Sequence, residues 1–191
     1  MKINIYYGGR GLMDDPTIYV INKMQEVLTE LRVNVERYNI FEYKNSISTL
    51  PQTIKDADGI ILATTVEWLG IGGYMQQFLD ACWLYADKDK IATTYMQPIV
   101  MSTTYGEREG ELTLSNAWEI LGGLPCAGLC GYVDDLVSFE MNHDYTLIIL
   151  IILYFLLPFE DGCFPEKFQA WMAETLKEIN HQEQACVELA F

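Results

Sequence analysis

The residues best suited to chemistry fall in three short glycine-bearing stretches. The first reads Tyr7-Gly8-Gly9-Arg10-Gly11-Leu12-Met13-Asp14-Asp15-Pro16-Thr17 and joins a β-rich run to a helix start. Free N–H groups and the positive end of a helix dipole attract a phosphate at such a junction. Gly9, Arg10 and Thr17 are the candidates to hold it. No Gly-Lys-Ser/Thr follows, so this is not a Walker loop, and a Gly-x-Gly-x-x-Gly dinucleotide fingerprint is absent. Asp14 and Asp15 would repel a phosphate, with Arg10 and Thr17 placed to offset them. The stretch also reads as a flexible turn before a capped helix.

The second stretch runs through Thr65-Val66-Glu67-Trp68-Leu69-Gly70-Ile71-Gly72-Gly73, just past an apolar, β-branched run. A large aromatic at the mouth of a glycine-rich loop is well placed to stack on a planar ring. Trp68 could instead plug the edge of the fold, and Glu67 reads as a solvated carboxylate before it reads as a catalytic base. The third stretch, Ser102-Thr103-Thr104-Tyr105-Gly106-Glu107, offers the hydroxyls of Thr103 and Thr104, backbone amides and the ring of Tyr105. Together the three describe a pocket for something planar and phosphorylated.

Strand and helix signals alternate along the chain that must position these loops. Strands are expected at 2–7, 33–41, 59–65, 98–104 and 126–133. The first helix has Asp14 or Asp15 to cap it, Pro16 for its first turn and an apolar stripe of Val20, Met24, Val27, Leu28 and Leu31. A weak turn at 51–56 precedes the third strand. Met75, Phe78, Leu79, Cys82 and Trp83 stripe a second strong helix, and Leu114, Ala117, Trp118 and Leu121 a third, broken by Gly122-Gly123 and Pro125. A final amphipathic helix carries Phe164, Phe168, Trp171, Met172, Leu176 and Ile179. This rhythm implies an α/β domain with a parallel sheet covered on both faces. Right-handed crossovers then bring loops 8–16, 66–73 and 105–110 to one edge, where such sheets bind ligands.

The bulk numbers agree with one domain over 1–191: half the residues are apolar and the net charge is −15. That charge argues against nucleic acid and against an anionic membrane surface. Five cysteines are spread without metal-ligand spacing, and Met1 leads straight into a strand with no secretory leader, so a reducing cytoplasm is the simplest reading. Cys126 and Cys130, four apart on an expected strand, read as core thiols on one face. His143 and His181 are isolated, so no metal site and no dedicated catalytic acid, base or nucleophile is expected.

The chain resembles the NADPH-dependent FMN reductases and related flavodoxin-like oxidoreductases over about residues 1–140 and the final helix. Residues 8–17 stand where that family has a Gly-Ser-x-Arg-x-x-Ser/Asn-Thr phosphate loop; Gly9, Arg10 and Thr17 match its types, and Asp14 and Asp15 depart from it. Residues 65–80 stand where the family has Pro-x-Tyr, a small-residue loop and a helix reading Leu-Lys-x-x-x-Asp. Trp68 takes the place of the tyrosine, Val66 that of the proline and a glutamine that of the lysine, and Asp80 is kept within one residue. Residues 103–106 fall where the family contacts the isoalloxazine ring. The resemblance implies a flavodoxin-like three-layer sandwich with five parallel strands in the order 2-1-3-4-5. It implies FMN as cofactor, bound by Gly9, Arg10, Thr17, Thr65, Val66, Glu67, Trp68, Gly70, Thr103, Thr104, Tyr105 and Gly106. NADH or NADPH would be the hydride donor, and a small molecule the acceptor; quinone, azo, nitro, metal and free flavin acceptors all remain compatible. Two other readings stay open: a flavodoxin-type electron carrier, which the acidic charge favours, and a non-catalytic member that has lost FMN through Asp14 and Asp15.

One stretch breaks the pattern. Residues 146–159 carry no charge and no amphipathic period, yet are shorter than the roughly 18–20 residues that span a bilayer. A buried subunit interface suits them best, so a homodimer is expected.

Overall fold

The computed structural model describes residues 1–134. The apolar stretch 146–159, the final helix, His143, His181, Cys163 and Cys186 lie outside the described residues. Six parallel strands, β1 (Lys2–Tyr7), β2 (Asn34–Asn39), β3 (Gly59–Thr65), β4 (Tyr95–Ser102), β5 (Leu124–Pro125) and β6 (Leu129–Tyr132), alternate with helices α1 (Pro16–Glu30), α2 (Gly73–Tyr85), α3 (Lys88–Ile91) and α4 (Glu107–Leu121). The turn expected at 51–56 is the end of a longer 3₁₀ segment, Ile47–Asp56. The strand order is β2-β1-β3-β4-β5, with β6 also on β4, as the resemblance implied for five strands. The fold is therefore a flavodoxin-like α/β sandwich.

Alternation along the strands builds two cores, one on each face of the sheet. Ile3, Ile5 and Tyr7 of β1, with Ile61, Ala63, Ile99 and Met101, meet Val20, Ile21, Met24 and Leu28 of α1. Tyr6, Ile60, Leu62, Met96 and Val100 meet Leu50, Ile54, Phe78, Leu114 and Trp118 on the other face. Burial on both sides is why β3 reads Gly-Ile-Ile-Leu-Ala-Thr-Thr without polar alternation. Trp118 is anchored by its indole N–H, which donates to the Thr94 carbonyl at 3.2 Å.

Two expectations are corrected. The fifth strand is not one run: four residues from Pro125 to Leu129 span only three, Met96 to Ile99, on β4. Such an extra residue is a bulge, and it breaks the period that would put Cys126 and Cys130 on one face. Trp83, expected in the buried stripe of α2, is half-exposed, with the Lys88 ammonium 5.0 Å from its ring centre. A cation over an indole supplies part of the contact that the core does not.

Strand order reverses between β1 and β3, since β2 lies outside β1 on one side and β3 and β4 follow on the other. The loops leaving β1 and β3 therefore part at the place where parallel sheets form a crevice. The register brings Tyr7 beside Ala63, Thr65 beside Met101 and Ser102 beside Tyr132, so the three expected loops leave one edge.

Candidate functional site

The first loop turns inward. Its glycines pack against protein atoms: a Cβ on Gly8 would lie 2.7 Å from Met75 Cβ, and one on Gly11 would lie 2.6 Å from the Phe41 ring. A Cβ on Gly9 would strike the Tyr7 hydroxyl. Gly11 also has φ of +73°, a conformation only glycine adopts cheaply. Pro16 opens α1, and Asp15 caps it, with Oδ1 accepting from the Thr17 N–H at 2.8 Å. The hydroxyls of Thr65 and Tyr7 also donate to this carboxylate, which is only 7% exposed. Tyr7 in turn accepts from the Gly11 N–H at 3.2 Å. Burial, and then the bond to Asp15, push the Tyr7 phenol well above its ordinary range, so it remains a donor.

Of the residues expected at a phosphate, Thr17 is fully buried, its hydroxyl 3.1 Å from the Thr64 carbonyl and 2.7 Å from the Thr65 hydroxyl. Arg10 reaches across to the second loop, where its Nε lies 2.9 Å from Glu67 Oε1. The dipole end of α1 is thus filled by the chain's own anion, and the loop's one cation is paired with another. Tyr7, Asp15 and Phe41 do this work jointly. The sequence showed only the capping choice at Asp14 or Asp15; the closing contacts join positions remote in the chain.

The second and third loops are open by contrast. Glu67 and Gly70 exchange backbone hydrogen bonds of 2.9 and 3.0 Å, closing a two-residue turn around Trp68 and Leu69. Both central residues have positive φ, 51° and 62°, which costs a residue with a side chain on the order of 1–2 kcal/mol. The turn lifts Trp68 until it is 94% exposed and Leu69 until it is 64% exposed. Val66 N–H donates to the Met101 carbonyl at 2.8 Å, and the Thr64 hydroxyl to that of Ile71 at 2.9 Å, so the base of the turn is held firmly. A Cβ on Gly73 would meet nothing within 4 Å, and one on Gly70 would meet only the Glu67 carbonyl, at 3.8 Å.

The third loop lies beside the second, since a Cβ on Gly106 would be 3.6 Å from Val66 and 4.0 Å from Leu69. Ser102 is buried and accepts from the Thr104 N–H at 3.0 Å, while Thr103 and Thr104 are exposed and Tyr105 is 68% exposed. Gly106, with φ of +101°, precedes α4. Just inside the helix, one carboxylate oxygen of Glu107 is buried with no hydrogen-bond partner.

The arrangement therefore divides in two. A polar end at α1 is occupied by the Asp15 carboxylate, and an aromatic end at the second and third loops is open. An exposed tryptophan and tyrosine on adjacent loops can hold a planar ring by stacking. Among the described residues no group of three or more His, Cys, Asp or Glu could hold a metal.

Open parallel sheets form their ligand crevice along this edge, and solved structures with the same fold are numerous. A FMN-dependent NADH-azoreductase from Bacillus anthracis is 13% identical, with 79% of this chain and 98% of that one covered at a TM-score of 0.61. An NAD(P)H:quinone oxidoreductase from Methanothermobacter marburgensis is 11% identical, covering 79% and 92%, at 0.57. The Trp repressor binding protein from Bacillus subtilis is 14% identical, covering 78% and 96%, at 0.58. Likeness at these identities is likeness of fold. No family model matches the sequence, and no curated protein matches it.

Proposed function

We propose that the protein is a flavin-dependent oxidoreductase that draws hydride from NADH or NADPH and passes electrons to a small-molecule acceptor. The observation that carries this reading is the pair of exposed aromatics, Trp68 and Tyr105, on the adjacent loops that leave β3 and β4 beside the strand-order reversal. Two structural neighbours, an FMN-dependent azoreductase and a quinone oxidoreductase, support it. A flavin bound there supplies the redox chemistry, taking hydride from the nicotinamide and releasing electrons to the acceptor. The chain's own part is to wall the ring with Trp68 and Tyr105 and keep one face open to a second planar ring. The backbone N–H groups of Trp68, Leu69, Thr103, Tyr105 and Gly106, which lie outside the bonds described above, would be the ones to meet the polar edge of such a ring, where donors favour negative charge. Arg10 and Glu67 tie the first loop to the second and hold the turn that carries Trp68.

The filled α1 terminus favours a second reading, a flavodoxin-like scaffold that binds no flavin. A visible absorption spectrum of the purified chain, taken before and after incubation with FMN and with riboflavin, separates the two. A flavin spectrum bleached by NADH or NADPH is the expected result. Flavin absorbance that no nicotinamide bleaches would select an electron carrier, and a spectrum empty after both incubations would select the scaffold.

A further inference from the structure

We propose that the site selects flavin without its terminal phosphate, taking riboflavin in preference to FMN; this rests on the flavin reading above. A flavin phosphate at the α1 terminus would need free donors and a compensating cation. The donors nearest the helix end are committed, the Thr17 N–H and the hydroxyls of Thr65 and Tyr7 to Asp15 and the Gly11 N–H to Tyr7, which leaves only main-chain N–H groups of the exposed residues 10–14 facing that carboxylate's negative charge. In place of a cation the position holds a buried carboxylate, and Asp14 adds a second negative charge beside it. Arg10, the one basic residue from Gly8 to Thr17, is paired with Glu67. Arg108, in the first turn of α4, stands among Glu107, Glu109 and Glu111 of its own helix.

The backbone gives the same answer as the charges. Side chains already occupy the space beside Gly8, Gly9 and Gly11, where a phosphate would need bare main chain. The space beside Gly73 is open, and a Cβ on Gly70 or Gly106 would make only ordinary van der Waals contacts, none nearer than 3.6 Å. The edge thus has room for a ring and a closed, anionic wall where the phosphate would go. An uncharged ribityl tail can lie against that wall without bringing a dianion towards Asp15.

Fluorescence titration of riboflavin and of FMN with the full-length chain tests this. We expect riboflavin to bind about tenfold tighter than FMN, the equivalent of 1.4 kcal/mol. Raising the salt from about 0.05 to 0.5 M should narrow the gap by screening the carboxylates. In Asp15→Ser, which keeps a residue able to cap α1, FMN should gain about tenfold relative to riboflavin. Wild-type affinity for FMN equal to or tighter than that for riboflavin would overturn the inference and leave the flavin reading standing. Failure of both flavins to bind would overturn the flavin reading, and the inference with it. The wild-type comparison decides on its own if Asp15→Ser does not fold.

Discussion

A carboxylate that accepts from a backbone N–H and two hydroxyls, as Asp15 does from Thr17, Thr65 and Tyr7, ties α1 to the ends of β1 and β3. Removing it uncaps the helix and takes the acceptor from the buried Tyr7 hydroxyl and one partner from the half-buried Thr65 hydroxyl, so Asp15→Ala should lower the unfolding free energy by about 2–3 kcal/mol in urea titration. Asp15→Asn, which keeps acceptor oxygen but loses charge, should cost less than half of that. A result with no difference between Ala and wild type would mean that water replaces the carboxylate. At Trp68 and Leu69 the cost runs the other way, because their left-handed backbone is strained. Leu69→Gly should raise stability by about 1 kcal/mol, measured as a shift in the denaturation midpoint. Trp68→Ala should leave stability nearly unchanged and weaken flavin binding by about 1–3 kcal/mol, the scale of a lost aromatic contact. Unchanged flavin affinity would remove Trp68 from the site.

At the scale of elements, the short loops are precise because helices press directly on strand ends. Gly8 continues β1 by donating its N–H to the Ala63 carbonyl at 2.8 Å, and Met75 of α2 lies against it. Gly8→Ala should therefore cost about 1–3 kcal/mol by overpacking, since the nearest atoms are Met75 Cβ and Cα as well as its flexible end. Helix stripes were legible because burial repeats every three to four residues. Val20, Met24, Val27 and Leu28 of α1, and Leu114 and Trp118 of α4, are all buried as their spacing indicates. The interruption of the fifth strand was not legible, because a bulge depends on the register of the partner strand. The exposure of Trp83 was hidden for a related reason: α2 buries Met75, Phe78, Ala81 and Cys82, and which flank of the apolar stripe is covered depends on the elements packed against it.

For the molecule as a whole, charge and burial act through the solvent. A net charge of −15 on 191 residues repels itself, and salt should raise the denaturation midpoint as the repulsion is screened. A midpoint that falls with added sodium chloride would show that specific ion pairs outweigh the net charge. Alkaline pH should act against the fold. Burial raises the Cys82 thiol and the Tyr6 and Tyr7 phenols well above their ordinary 9.0 and 10.0, Cys126 to about 11 and Tyr38 to about 12. The folded chain keeps these protons while the unfolded chain releases them, so stability is full below about pH 9 and declines as pH rises through 9 to 11. Denaturation midpoints across that interval check the sign.

The sequence by itself determined the alternation of strands and helices, the parallel sheet, and which three loops share its carboxyl edge. Those follow from local periodicity and from the handedness of crossovers, which need no knowledge of partners. It also placed Trp68 and Tyr105 at that edge. Only the tertiary structure decided what the first loop does. Gly9, Arg10 and Thr17 are the right types for a phosphate, but whether they are free depends on Tyr7, Thr65, Glu67 and Phe41. Local chemistry proposes a donor; long-range packing decides whether the protein has already used it.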